Sequence, residues 1–259
     1  MASLPLLSLW SKRSLVFHFA IMNIKISFRG SYLGLFWTAV EPLLLFILMY
    51  IVFTNIRVVE THENFAIYLI SGIVLYHSFV RGTQTGMVSL RENTALLSSI
   101  KLRRELFPVV ATTTASLLLI VEVAVFFGIM PFAQFIPTWT IALLPIVLGL
   151  LLVLILGISY LLSIVYAYAK DIQPFWGVVM TALFFLMPIF WYIEDTAGIL
   201  IDIQSINPLG QLIEIGHQLV FGTIPPISDW LYTASIIFGI LFVGYAFFQR
   251  FEKNILEKM

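Results

Sequence analysis

Two charged residues stand inside long apolar stretches of this 259-residue chain, and together they could form an ion pair. Glu41 lies seven residues after Gly34 in the first stretch, and Arg81 lies eight residues before Ser89 in the second. If both stretches are antiparallel helices, a rise of about 1.5 Å per residue puts both side chains about 10 Å from the same end. An isolated Arg at the centre of a membrane helix costs about 2.5–3.5 kcal/mol. We therefore predict an intramembrane pair, Arg81–Glu41, that holds the first helix against the second.

Other constellations that could do chemistry are weak. The chain has no G-x-x-x-x-G-K-[ST] phosphate loop, so it cannot hydrolyse ATP by that route and is not predicted to be an enzyme. The histidines include no i, i+4 pair, and we expect neither a metal site nor a bound cofactor: His18, His62, His77 and His217. The adjacent Glu194 and Asp195 read as a solvated pair rather than a catalytic dyad. Glu41 and Glu122 could serve an ion-driven carrier, but the paired broken helices of inverted repeats are not evident.

Composition defines the class of protein. Sixty per cent of the residues are hydrophobic and 11% are charged, whereas a soluble domain carries about 25% charged residues. The chain is therefore an integral membrane protein. A net charge of zero argues against nucleic acid as a partner, and the absence of cysteine excludes disulfides and thiolate metal sites.

The apolar segments predict an all-α membrane protein with six transmembrane helices in a single domain, residues 1–259. The predicted spans are Gly34–Phe53, Phe65–Ser89, Phe107–Met130, Trp139–Ala169, Pro174–Tyr192 (broken by Pro188) and Trp230–Phe248. Leu6–Phe28 is interrupted by polar residues at helical spacing, which favours a helix in the cytoplasmic interface over a seventh span.

The distribution of basic residues predicts the orientation. Of the 14 Lys and Arg, twelve fall on the predicted inner segments, Arg81 lies in a span, and only Arg57 lies on an outer loop. Cytoplasmic loops carry an excess of Lys and Arg. We expect a multi-pass protein of the plasma (inner) membrane with both termini in the cytoplasm.

The predicted outer segment 194–229 contains a helix of its own. Pro208–Phe221 has an apolar face, Asn207 can cap it, Pro208 suits its first turn and Gly222 can end it. Because irregular backbone at membrane depth must be buried in protein or line a water-filled cavity, we predict a re-entrant helical hairpin packed on the bundle.

Five segments, in this order, resemble the permeases of type-2 ABC exporters that move lipid-linked polysaccharide. They are Arg29–Trp37 at the start of the first span, Arg103–Pro108, Lys170–Ile172, the aromatic Phe184–Tyr192 and Asn207-Pro208. The resemblance covers nearly the whole chain. One departure is His217, which stands where we expect an arginine, and this weakens any charge contact there with a lipid pyrophosphate.

The resemblance implies half of a pore: a homodimer in the membrane with two separate ATP-binding cassette subunits, which hold ATP and Mg, and a lipid-linked glycan as substrate. It also implies a cytoplasmic coupling helix in Ser89–Pro108, although an ordinary positive-inside loop would look much the same. The coupling residues would be Arg91, Glu92, Leu97, Lys101, Arg103 and Arg104. The cytoplasmic entrance would be Arg29, Tyr32, Leu33 and Gly34.

Aromatic rings suit a polymer that slides past weak, repeated contacts. The predicted substrate-path residues are Trp37, Tyr76, Trp191 and Tyr192, although such rings commonly face lipid or neighbouring helices. Arg81 could instead snorkel to headgroups or contact phosphate on the lipid carrier. An alternative function is a type-2 permease for a drug, lipid or other small substrate. Those proteins often have a larger outer domain between the first two spans, whereas Thr54–Asn64 is short.

Overall fold

The computed structural model describes residues 12–56, 64–94, 103–194 and 198–252, and in these ranges the chain is helical with no β-strand. The helices are α1 (Arg13–Ser27), α2 (Trp37–Ile56), α3 (Phe65–Glu92), α4 (Leu106–Ile129), α5 (Leu144–Tyr168), α6 (Ile172–Leu186), α7 (Ile199–Ile206), α8 (Pro208–Val220) and α9 (Ile227–Phe251). Two 3-10 turns, Gly34–Phe36 and Trp139–Leu143, lead directly into α2 and α5.

Within the described part of the chain, five helices are long and apolar enough to cross a membrane: Gly34–Asn55, Phe65–Glu92, Leu106–Ile129, Trp139–Tyr168 and Ile227–Phe251. They correspond to five of the six predicted spans, with ends that differ by a few residues. A helix satisfies all its backbone hydrogen bonds internally, which is why such apolar segments fold this way in lipid. The chain is an all-helical, multi-pass membrane protein.

The predicted span Pro174–Tyr192 has different bounds. Its helix, α6, begins at Ile172 and ends at Leu186, and at 15 residues it is about 22 Å long. Met187 leaves the helix with φ −89° and ψ 150°, because a residue that precedes proline is driven out of the α region. Pro188 therefore ends the helix rather than bending it.

The described part of the N-terminal helix lies within the predicted Leu6–Phe28. The part that the structure describes is α1, Arg13–Ser27, and residues 1–11 lie outside the described ranges. Val16 of α1 packs against Leu106 and Val110 at the start of α4. This contact fixes α1 beside the third span.

α3 is the central helix, buried along almost its whole length. It approaches α5 closely at Gly86, where an added methyl group would overlap Ser159. On another side of α5, Gly157 and Gly244 of α9 are so close that a Cβ on either would strike the backbone of the other helix. Small residues at helix crossings allow such packing in membranes.

Basic side chains distinguish the two ends of the bundle, whereas acidic side chains lie at both. The end that we call the basic end carries Arg29, Arg91, Arg103, Arg104, Lys170 and Arg250, and the opposite, acidic end carries Glu194, Asp202, Glu214 and Asp229. α7 and α8 lie at the acidic end.

The predicted helix of this outer segment is found as α8, with the predicted cap. The Asn207 side chain accepts a hydrogen bond from the Leu209 backbone N–H at 2.9 Å, Pro208 occupies the first turn, and Gly222 follows the helix with φ +91°. The apolar face of α8 is buried against the bundle.

Candidate functional site

Four ionisable side chains from three helices meet inside the bundle, and we call them the ionic cluster: Glu41, His77, Arg81 and Glu122. Arg81 Nη2 lies 3.1 Å from Glu41 Oε2, and Arg81 Nη1 lies 2.8 Å from Glu122 Oε1. His77, one turn earlier on α3, lies 3.0 Å from Glu122 Oε1 through Nδ1 and 3.4 Å from Glu41 Oε2 through Nε2. The structure thus brings the two residues of the predicted pair together and adds two more.

The two carboxylates of the ionic cluster have different surroundings. The Glu122 side chain is 1% exposed and its Oε2 accepts a hydrogen bond from Ser78, whereas the Glu41 side chain is 63% exposed. A buried charge is tolerated only when it is paired and hydrogen-bonded. Glu122 is therefore the inner partner of Arg81, and Glu41 is the accessible one.

Sequence reasoning noted Glu122 as an intramembrane acid but gave it no partner, and it gave His77 no role. The available signal was the spacing of His77 and Arg81, because residues that are four apart lie on the same face of a helix. What the sequence did not show is that α4 packs beside that face.

A cavity of about 300 Å³ adjoins the ionic cluster on its basic-end side. It lies between α1, α2, α3 and α4, and Glu41 and Arg81 form part of its wall together with Ser27, Trp37 and Thr85. The accessible edge of the ionic cluster thus faces a mixed polar and apolar space near the basic end.

The predicted entrance residues lie beside this cavity, in the connection between α1 and α2. Gly30 and Gly34 have φ of +81° and +49°, a region that glycine enters without strain. Ser31 Oγ accepts a hydrogen bond from the Gly34 N–H at 3.0 Å. Arg29, Tyr32 and Leu33 are all exposed on this turn.

Residues 16–221, most of the chain, match the family described as ABC-2 type transporter. This chain belongs to the ABC-2 type transporter family. The resemblance to type-2 ABC permeases is thereby confirmed at the level of the family.

Individual proteins are similar to this chain along nearly its whole length. The O-antigen export system permease protein RfbA of Myxococcus xanthus is 22% identical over 258 residues, which cover 97% of each chain. A protein of the same name from Klebsiella pneumoniae is 22% identical over 243 residues, which cover 91% of each chain.

In this ABC-2 family member, the predicted coupling residues that the structure describes lie at the basic end. The Arg91 guanidinium donates to the Tyr166 carbonyl at 3.3 Å and lies 5.8 Å from the centre of the Tyr166 ring. Arg104 donates to the Glu252 carbonyl after α9, and Glu92 is exposed. Leu97 and Lys101 lie outside the described residues. Arg91 thus ties the end of α3 to the end of α5, and Arg104 ties the segment before α4 to the end of α9.

Glu105, to which the sequence reasoning gave no role, organises the same end. Its side chain is 1% exposed and lies 2.9 Å from the Nε of Arg103. Its Oε2 accepts hydrogen bonds from Tyr245 at 3.2 Å and Gln249 at 2.9 Å, both on α9. This network joins the start of α4 to the last turns of α9.

The predicted substrate-path residues do not come together within the chain. Tyr76 is buried and its hydroxyl donates to the Met180 carbonyl of α6, and Trp191 is buried with its Nε1 3.3 Å from the Phe185 carbonyl. Trp37 is exposed near the basic end, whereas Tyr192 lines a cavity at the acidic end. Tyr76 and Trp191 thus make structural contacts within the chain, and the aromatic path stays a prediction.

Proposed function

We propose that this chain is the transmembrane subunit of an ABC transporter that exports a lipid-linked polysaccharide across the plasma membrane. The similarity to O-antigen export permeases over 97% of both chains carries this proposal. The short connection between α2 and α3, residues 57–64, supports it, because it does not contain a large outer domain. The chain acts as a homodimer. It binds two separate ATP-binding subunits, since it has no phosphate loop of its own.

The proposed topology places the basic end in the cytoplasm and the acidic end outside, as the positive-inside rule requires. α6 is then the fifth of six spans, and the non-helical segment after it completes the crossing. Irregular backbone is tolerated at membrane depth only when protein buries it. Met187, Ile189 and Trp191 are buried, and the Trp191 carbonyl accepts a hydrogen bond from Tyr68 at 2.8 Å. α7 and α8 form the re-entrant outer pair.

The ionic cluster is proposed to hold α2, α3 and α4 together beside the cytoplasmic entrance. Both terminal nitrogens of Arg81 already contact carboxylates. Two carboxylates surround a single guanidinium, so the cluster does not present the positive charge that a lipid phosphate would need. This arrangement favours the pairing role of Arg81 over a phosphate contact.

A genetic experiment tests the export function. Deletion of the gene in its host should abolish the surface polysaccharide and leave lipid-linked polymer inside the cell, and a plasmid copy of the gene should reverse both effects. The purified chain without its ATP-binding partner should show no ATP turnover. Normal surface polysaccharide in the deletion strain, or ATP turnover that follows the pure chain through successive columns, would overturn the proposal.

The coupling segment has its own test. If residues 89–101 dock on the ATP-binding subunit, Leu97→Asp should place a charge in an apolar contact, and Arg91→Glu should reverse a charge there. Both changes should abolish export and reduce co-purification of the ATP-binding subunit. Membrane fractionation should show that the protein still inserts. Leu97→Met keeps an apolar side chain and serves as the control. Undiminished export and co-purification in Leu97→Asp would show that this segment does not dock on the ATP-binding subunit.

A further inference from the structure

A second cavity, of about 240 Å³, opens at the acidic end between α8, the first turns of α3 and the segment that follows α6. Its wall contains Tyr68, Tyr192, Glu194, Glu214, His217 and Gln218. Cavities that take drug-sized ligands measure about 300–1,000 Å³, so this one suits a smaller group such as a single ring.

His217 provides a buried acceptor in this cavity. Its Nε2 lies 3.1 Å from the Tyr68 carbonyl oxygen, which can only accept, so Nε2 carries the proton. Burial lowers the pKa of His217 to about 3, and the ring is neutral at physiological pH. Nδ1 therefore carries a lone pair, and within the described ranges this buried atom has no hydrogen-bond partner. Buried polar atoms in folded proteins are rarely left unpaired, so Nδ1 is suited to a donor on a ligand.

Two carboxylates add to this acceptor character. The Gln218 side-chain amide donates to Glu214 Oε1 at 2.9 Å, and Glu194 lies at the exposed rim. Burial and the nearby negative charge of Glu194 raise the pKa of Glu214. Among the wall residues in the described part of the chain, none is Lys or Arg. The cavity therefore disfavours anions and favours groups with several O–H or N–H donors.

Aromatic rings supply the apolar part of the wall. Tyr68 stacks on His217 with ring centres 3.7 Å apart, and Tyr192 lies 4.3 Å from Tyr68. The face of an aromatic ring is apolar and carries partial negative charge, which suits the polarised C–H bonds of a pyranose ring. We infer that the cavity is a subsite for one neutral or amino-substituted sugar unit of the exported glycan. This inference rests on the proposed function, because export brings the glycan to this end.

The test measures sugar binding to the purified full-length protein in lipid nanodiscs by saturation-transfer NMR. The probes are methyl α-mannopyranoside, glucosamine and glucuronate. The first two should bind saturably, and glucuronate should bind at least tenfold more weakly. Glu214→Gln should weaken the binding of both by about tenfold, which is the typical effect of losing a hydrogen bond to a charged group. Asp202→Asn changes an exposed acid on α7 outside the cavity and should bind like the wild type.

A folding defect cannot hide the result, because Glu194 is exposed at the rim and Glu194→Gln should also weaken binding without loss of yield. Wild-type affinity in both variants, or glucuronate binding as tight as that of the mannoside, would overturn the inference. Export of glycan with no binding of mannoside or glucosamine would refute the subsite and leave the proposed function standing. Saturable binding in a protein whose deletion leaves surface polysaccharide intact would refute the proposed function and leave a sugar site.

Discussion

The two carboxylate partners of Arg81 contribute different amounts of stabilisation. Glu122 is almost fully buried and also accepts a hydrogen bond from Ser78. Loss of the Glu122 carboxylate would therefore leave the Arg81 guanidinium without its buried partner. Glu41 is largely exposed, and an exposed ion pair contributes about 0–1 kcal/mol. His77 contacts both carboxylates and keeps them oriented toward Arg81. At the scale of single residues, the buried side of the ionic cluster carries most of its stabilisation.

We predict that Glu122→Gln lowers the free energy of unfolding by about 3–5 kcal/mol, the typical cost of breaking a buried pair. Glu41→Gln should cost at most about 1 kcal/mol. The measurement is unfolding of the purified protein in detergent, with the exposed Glu92→Gln as a control. In a double-mutant cycle, Arg81→Met should cost less in the Glu122→Gln background than in the wild type. Strictly additive losses would show that the two residues act separately.

The contrast between Asn207 and Glu122 shows what the sequence could reveal at this scale. The Asn207 cap joins atoms two residues apart, so the local pattern of Asn, Pro and a later Gly was sufficient to predict it. The Arg81–Glu41 contact required only that consecutive spans be antiparallel neighbours. Contacts of Arg81 and His77 with Glu122 depend on how α4 packs against α3, and helix packing is not encoded in local spacing.

At the scale of elements, the crossing of α5 and α9 depends on glycine. A methyl group at position 244 would overlap the carbonyl oxygen of Gly157, whereas a methyl group at position 239 of the same helix would meet nothing within 4 Å. The two glycines form a matched pair, since they differ in their surroundings and not in residue type or helix.

We predict that Gly244→Ala destabilises the protein by about 1–3 kcal/mol, because the two helices must move apart. Gly239→Ala should leave stability unchanged or raise it slightly, since alanine is the better helix former. Thermal unfolding in detergent measures both. Equal melting temperatures for the two variants would contradict the close crossing of α5 and α9.

Helix boundaries were predictable where polar residues, Gly or Pro punctuate the sequence. The fourth span was predicted as Trp139–Ala169 and is found as Trp139–Tyr168. The predicted span that contains α6 extended to Tyr192, whereas the helix ends at Leu186. Apolar residues continue past Pro188, and hydrophobicity alone does not distinguish a helix from a buried irregular segment. The buried side chains of Met187, Ile189 and Trp191 explain why that segment stays apolar after the helix ends.

At the scale of the whole molecule, α6 decides the number of crossings. The chain contains no cysteine, so a single introduced cysteine is the only thiol. Lys170 and Glu194 are exposed and flank α6 with its following segment. We predict that Glu194→Cys reacts with a membrane-impermeant maleimide on intact cells, whereas Lys170→Cys reacts only after permeabilisation. The Ser228→Cys variant is a control for the acidic end. Labelling of positions 170 and 194 from the same side would show that α6 and its following segment do not cross the membrane.

The uneven enclosure of α2 and α3 has a consequence for sequence divergence. Almost every side of α3 contacts protein, so a substitution there must preserve both volume and shape. α2 leaves Leu44, Ile47, Leu48 and Ile51 exposed, and at such positions one apolar residue can replace another in lipid without loss. Homologous chains should therefore vary more along this exposed face of α2 than along α3, which should change slowly and in step with α5.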